Sequence, residues 1–197
     1  MSVIIDKGKK IDVLLIAEGT YPYIRGGVST WIHDLINGLP DFNFGVVFLG
    51  SRPEDYGEIK YKLPDNLVYL SVDYLFEFEE SLIPKKTKAK KEIFSYIDFL
   101  HKWFKEVHDT KAEFPDKLKS LSFYTEEITK EVFLYSKESW NFIINMYAKY
   151  AVDSPFIDYF WTIRNMHAPI FVVSNVAKKV PHFDIVHSPS TGYAGFL

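Results

Sequence analysis

The chain has 197 residues, enough for one domain or a domain with a subdomain, and enough to bury a full core. A net charge of -3 offers no basic face for nucleic acid, and the lack of cysteine excludes a disulfide scaffold and cysteine-ligated zinc. The first residues lack a secretory h-region, and no apolar run reaches the roughly 18 residues of a membrane span, so a cytoplasmic chain is expected.

The first element is IDVLLIA (11–17), a short apolar run that reads as a strand buried on both faces, as in a parallel sheet. A loop with two adjacent glycines, EGTYPYIRGGVSTW (18–31), follows it and opens a helix. Val28, Trp31, Ile32, Leu35, Ile36 and Leu39 recur at helical spacing, with Val28–Ile32–Leu35 as the core stripe, and Gly38 with Pro40 mark the end. FGVVFLG (44–50) and LVYLSV (67–72) read as two further strands, separated by a polar loop with Pro53, Gly57 and Pro64.

From about Lys85 to Met166 the pattern becomes helical. The run PKKTKAKK (84–91), with five lysines, reads as a solvated linker or helix entry close behind the acidic EFEE (77–80). Ile93, Tyr96, Ile97, Leu100, Trp103, Phe104 and Val107 form one stripe. A second helical region spans about Thr125 to Ala151, broken near Ser136, and a third begins with Ser154 as N-cap and Pro155 in the first helical position. PIFVVS (169–174) and FDIVHS (183–188) return to a strand pattern, and Thr191 reads as the start of another helix. Strand, glycine loop, helix, strand predicts the α/β class: a Rossmann-like parallel sheet with a helical insertion at about 85–166. The abrupt close at STGYAGFL resembles a cut in a longer protein.

Unpaired N–H groups at a helix N-terminus, together with the helix dipole, favour an anion. Gly26 and Gly27 let backbone approach a ligand, since a Cβ would obstruct it or forbid a positive φ, and Arg25 adds a charge. A tight structural turn explains the same residues equally well, because the dinucleotide and P-loop glycine patterns are both absent. His101 and His108 lie seven apart and His182 and His187 five apart, and there is no Asp-x-Asp, so no metal site is expected. With neither a nucleophile elbow nor a cysteine, hydrolase chemistry is unsupported. His33 falls off the Val28–Ile32–Leu35 stripe and is expected to face the loop or solvent. His187 ends a strand, where α/β sheets bind ligands. Glu18 has two readings of equal weight, a hydrogen bond to a sugar hydroxyl or orientation of the loop.

AEGTYPYIRGGVSTWIHDLI, FGVVFLGS and the closing FDIVHSPSTGYAGFL together resemble the N-terminal half of a family 4 glycosyltransferase with the two-domain GT-B fold. The resemblance is closest to the subgroup containing the glycosyltransferase of the Pel exopolysaccharide pathway, and it covers both ends of the chain closely and the helical middle loosely. It implies a retaining, metal-independent transferase without a cofactor, moving a hexose from a nucleotide sugar, UDP-glucose by expectation, to a saccharide acceptor in polysaccharide synthesis. By position, it makes Gly26, Gly27 and Arg25 the donor-phosphate loop and His187 the candidate catalytic residue. Glu18, Tyr21, Tyr23, His33, Ser190 and Thr191 would line the cleft. Pro189 and Ser190 stand where many members carry a second cleft histidine or an acidic residue.

The family's Glu-x7-Glu signature is missing, since no two glutamates are eight apart, so the chain is expected to be the acceptor-side domain alone and inactive without its C-terminal partner domain. The resemblance also leaves room for association with a membrane polysaccharide-export complex. Two alternatives stand beside it. One is a stand-alone nucleotide-binding module. The other is an interaction protein, which would leave the helical stripes around Trp103, Trp140 and Trp161 partly exposed.

Overall fold

The computed structural model describes residues 2–76, 87–105, 113–151, 153–190 and 192–196. Lys85, Lys86, Val107, His108 and Thr191 therefore lie outside the described residues. The chain divides into two compact units, one comprising Met1–Glu79 with Asn175–Leu197 and the other Glu80–Ser174.

The first unit is built on strands β1 (Ser2–Asp6), β2 (Ile11–Glu18), β3 (Phe44–Gly50), β4 (Leu67–Tyr74) and β5 (Phe183–His187). They form one sheet in the order β1-β4-β3-β2-β5. β5, β2, β3 and β4 run parallel, whereas β1 is antiparallel to β4. The protein is thus α/β with a mostly parallel sheet. Continuous apolar runs produce the central strands for the expected reason: β3 is buried at every position and β4 at all but its last. β1 escapes a reading by pattern. It is a mostly exposed edge strand whose register slips between Val3 and Ile5, so neither burial nor alternation marks it.

Helix α1 (Gly27–Gly38) carries the chain from β2 to β3. Its buried face is Ser29, Ile32 and Ile36, packed with Leu15, Ala17, Phe44 and Leu70 of the sheet. This corrects the expected stripe at Val28, which, like Trp31 and Leu39 of the helically spaced set, is at least 40% exposed. A six-residue apolar set is wider than the arc one helix face can bury against a sheet.

The second unit is helical: α2 (Lys91–Lys105), a one-turn α3 (Asp116–Lys119), α4 (Lys130–Tyr135), α5 (Lys137–Tyr150) and most of α6 (Phe156–Lys179). Its core joins Ile93, Ile97 and Leu100 of α2 to Phe133, Ile143, Met146, Ile163 and Phe171. Ser136 makes the expected break, extended at ψ 148 and capping α5 by accepting from the Ser139 N–H. The last helix starts at Phe156, and the Pro155 carbonyl accepts from the Tyr159 N–H; Ser154 instead donates its own N–H to Ala151.

The expected strand 169–174 is helix, the interior of α6 with Pro169 inside it. A short apolar β-branched run reads the same in a buried strand and a buried helix, and length decides between them. Phe171, Val173, Ser174 and Val176 are all buried there, as in a helix enclosed nearly all round. No helix among the described residues is long and apolar enough to cross a membrane.

His167 of α6, 3% exposed, stacks on Phe133 at 4.6 Å and donates Nδ1–H to the Ile163 carbonyl at 2.8 Å. Its Nε2 must then accept, and the donor is His101 Nε2 at 2.9 Å, a partnership across helices that spacing along the sequence does not show. Burial pushes the His167 ring down to about 4, because the charged form loses its hydration.

Two outcomes follow for stability. The unfolded chain binds a proton at His167 near pH 6.5, well before the folded one does, so stability falls as pH drops from about 6.5 toward 4, by up to about 3 kcal/mol. Urea titrations at pH 7 and 5.5 read this slope, which His167→Gln should flatten. Second, a Cβ at Gly50 would stand 2.7 Å from Tyr56 and Tyr74 and 2.8 Å from Phe48, inside an aromatic cluster. Gly50→Ala should therefore cost about 1–3 kcal/mol, read as a lower urea midpoint with an unchanged m-value.

Candidate functional site

From β2 the chain reaches β3 and then β4 on one side of the sheet, whereas β5 joins β2 on the other. The sheet therefore reverses its order between β2 and β5, and ligands of doubly wound sheets bind outside the carboxyl ends of strands at that point. The two strands are in register there, with Leu15 opposite His187. The loop after β2 leads to Gly26–Gly27, and the loop after β5 runs through Ser188–Ser190. Topology thus brings together two of the three segments that carry the family resemblance.

The loop after β2 is fastened to the core. Gly19 takes the left-handed φ of 63° and donates its N–H to Leu49, and the Thr20 carbonyl accepts from both Tyr23 and Ile24. Tyr21 and Tyr23, expected along a cleft, are core residues at 0% and 9% exposure. The Tyr21 ring lies 5.1 Å from Tyr61, and its hydroxyl is 3.5 Å from Nδ1 of His33. Burial pushes that hydroxyl up to about 12. Tyr23 packs at 4.7 Å on Phe48 and burial raises its pKa as well. His33 turns to the loop side, half-buried between Tyr21 of that loop and Tyr61 at 4.9 Å. Arg25 is exposed and donates to the Lys60 carbonyl at 3.2 Å, while the Lys60 N–H donates to Pro22.

Helix α1 starts without a cap. Gly26 supplies no side chain, the first turn holds no acidic residue, and the first helical bond runs from Thr30 N–H to the Gly26 carbonyl. The N–H groups of Gly27, Val28 and Ser29 are left without a partner among the described residues. Gly26 is extended, at φ 176°, so no left-handed conformation demands glycine here, contrary to one of the two expected reasons. A Cβ on either glycine would meet nothing within 4 Å, so the packing of the protein does not demand glycine at these two positions either.

Three buried hydroxyls on the segments that bound this point make no hydrogen bond among the described residues: Thr20 Oγ1, Ser29 Oγ and Ser190 Oγ. Each is a cost of about 1–3 kcal/mol unless a ligand or solvent completes it. Ser29 was legible in principle, since it lies three residues before Ile32 on the apolar face, where a hydroxyl has no packing reason to be. Thr20 carried no such signal. His187 is exposed and its ring lies 5.4 Å from that of Trp31, which gives the unburied Trp31 a place beside the candidate site. Ser188 donates its hydroxyl to the Ser190 carbonyl at 2.6 Å, shaping the loop after His187.

Glu18 holds a loop other than the glycine loop of its second reading. Its Oε2 accepts from Ala194 N–H at 2.9 Å, holding the closing 3-10 turn Tyr193–Phe196. A Cβ on Gly192 would lie 2.5 Å from that same oxygen, so any larger residue there would displace the Glu18 carboxylate. Among the described residues no group of three or more His, Asp or Glu could hold a metal ion. The arrangement suits an anion at the helix N-terminus and hydroxyl groups beside it, with an imidazole at the strand end.

No curated protein and no solved structure matches the chain. One family does, described as a domain of unknown function, DUF3492, and the match covers residues 11–197, from the first residue of β2 onward. On that span the chain belongs to the DUF3492 family.

Proposed function

We propose that this chain is the acceptor-side, N-terminal half of a retaining GT-B glycosyltransferase of family 4, in the subgroup that serves Pel-type exopolysaccharide synthesis. The observation that carries the reading is that the segments leaving the carboxyl ends of β2 and β5 carry three helix N–H groups and three buried hydroxyls with no partner among the described residues. A nucleotide sugar has both matching parts, an anionic diphosphate and a polyhydroxylated ring. In this reading Gly26 to Ser29 face a donor phosphate, His187 at the end of β5 contacts the sugar, and Glu18 acts through the loop it holds.

A departing nucleoside diphosphate needs donors around both phosphates while the sugar gains oxocarbenium character. One helix N-terminus supplies part of that, and a second α/β domain with Glu-x7-Glu supplies the rest. The substrate is UDP-glucose, the acceptor a saccharide, and the enzyme works in the cytoplasm beside a membrane export complex, with no metal. A second reading has its own support: Trp140 and Trp161 are 46% and 52% exposed beside Ile157 at 68%, as an interaction role for the helical unit requires. Ultracentrifugation of the native chain and Trp161→Glu decides whether that face self-associates.

Calorimetry tests the main reading. The 197-residue chain should bind UDP and UDP-glucose weakly and turn over neither; tight binding favours a stand-alone nucleotide module, and turnover refutes the half-site. In the protein extended by the second domain, Gly27→Asp should cut UDP release about a hundredfold, by placing a carboxylate where a phosphate sits. The same change should leave the fold stable, since acids favour a first turn, so full activity in a folded Gly27→Asp protein overturns the proposal.

A further inference from the structure

Between α2 and α5 in the helical unit lies a groove of about 530 Å³, well within the size of small-molecule sites. Lys91, Phe94, Ser95 and Asp98 line it from α2, at spacings that place them on one helical face. Its floor is apolar, with Phe94 and Phe142 5.5 Å apart and Met146 beside them. Asn141 and Asn145, one turn apart on α5, form a wall. Neither side-chain amide makes a hydrogen bond among the described residues.

The lining narrows the ligand by chemistry. Two lysines, Lys91 and Lys149, and two acids, Asp98 and Glu138, line the groove, and Asp98 is already paired with Lys102 at 2.6 Å, so the lining carries no cluster of charges of one sign. Carboxamides both donate and accept, as do hydroxyl groups, and each amide can serve two roles toward one vicinal diol. Apolar floor with amide walls fits the two characters of a pyranose ring, its C–H face and its hydroxyl rim. A lipid tail would cover the amides without pairing them, and a phosphate would meet the Glu138 carboxylate.

We propose that the α2/α5 groove is a binding site for a neutral saccharide, a mono- or disaccharide unit of a longer chain. The site stands on the helical unit alone, apart from the sheet-end reading, and it is tested by binding and not by turnover. The full 197-residue chain is titrated by calorimetry with cellotetraose, N,N′,N″,N‴-tetraacetylchitotetraose and trigalacturonate. At least one of the two neutral sugars should bind, and more tightly than the acidic trimer. Asn141→Ala/Asn145→Ala, at exposed helix positions where alanine is favourable, should weaken that binding about tenfold. Thr162→Ala, exposed on α6 and outside the groove, should not change it. Absence of binding by both neutral sugars, a preference for the acidic trimer, or unchanged affinity in the folded double variant each overturns the proposal.

Discussion

Both edges of β2 need partners for their amides and carbonyls, and the chain supplies them from opposite directions: β3 through α1 on one side, β5 after the whole helical unit on the other. Because both partners run parallel to β2, the loops after β2 and β5 must leave the sheet from the same end and diverge. That divergence is what leaves room outside the carboxyl end, and it would vanish if β5 paired elsewhere. The candidate site is therefore a consequence of strand order first and of side chains second.

Side chains then hold the loop after β2 in place. A glycine pair in a mobile loop would present its N–H groups to a ligand only after ordering, and ordering costs about 1–2 kcal/mol per residue. Here Tyr21 is sealed in the core, Tyr23 packs on Phe48, and the Pro22 carbonyl is tied to Lys60. The cost is met during folding by burial of two aromatic rings, so the helix N-terminus is preorganised. The tyrosines act on the site by anchoring it, which is why residues so close in sequence to the glycines need not touch a ligand.

Patterns in the sequence reveal what burial and chain direction impose locally. FGVVFLG is β3 residue for residue, and Ser136 ends one helix and caps the next because a hydroxyl before an N–H pair is a local event. Residues 169–174 misled because apolar β-branched character records burial, and helix or strand is settled by the long segment around them. The pairing of His101 with His167 across helices was out of reach for the same reason, being a tertiary contact 66 residues apart. At the site, the glycines and His187 stood out by type, whereas Ser29 and Ser190 matter through missing partners, which only coordinates reveal.

The electrostatics of α1 depend on a group outside it. A carboxylate near an uncapped helix N-terminus is the natural occupant of the dipole's positive end, and Glu18 is the acid of the loop that leads there. That carboxylate is engaged elsewhere, because Oε2 accepts from Ala194 and Gly192 lets both oxygens close against its backbone. The same contact that positions the closing turn thus occupies an anion that could compete for the helix. Arg25 is exposed and spends one guanidinium donor on the Lys60 carbonyl, leaving the others to solvent. With Glu18 engaged by the closing turn, the three N–H groups that begin α1 have no acceptor among the described residues, and a helix N-terminus in that condition favours an anion.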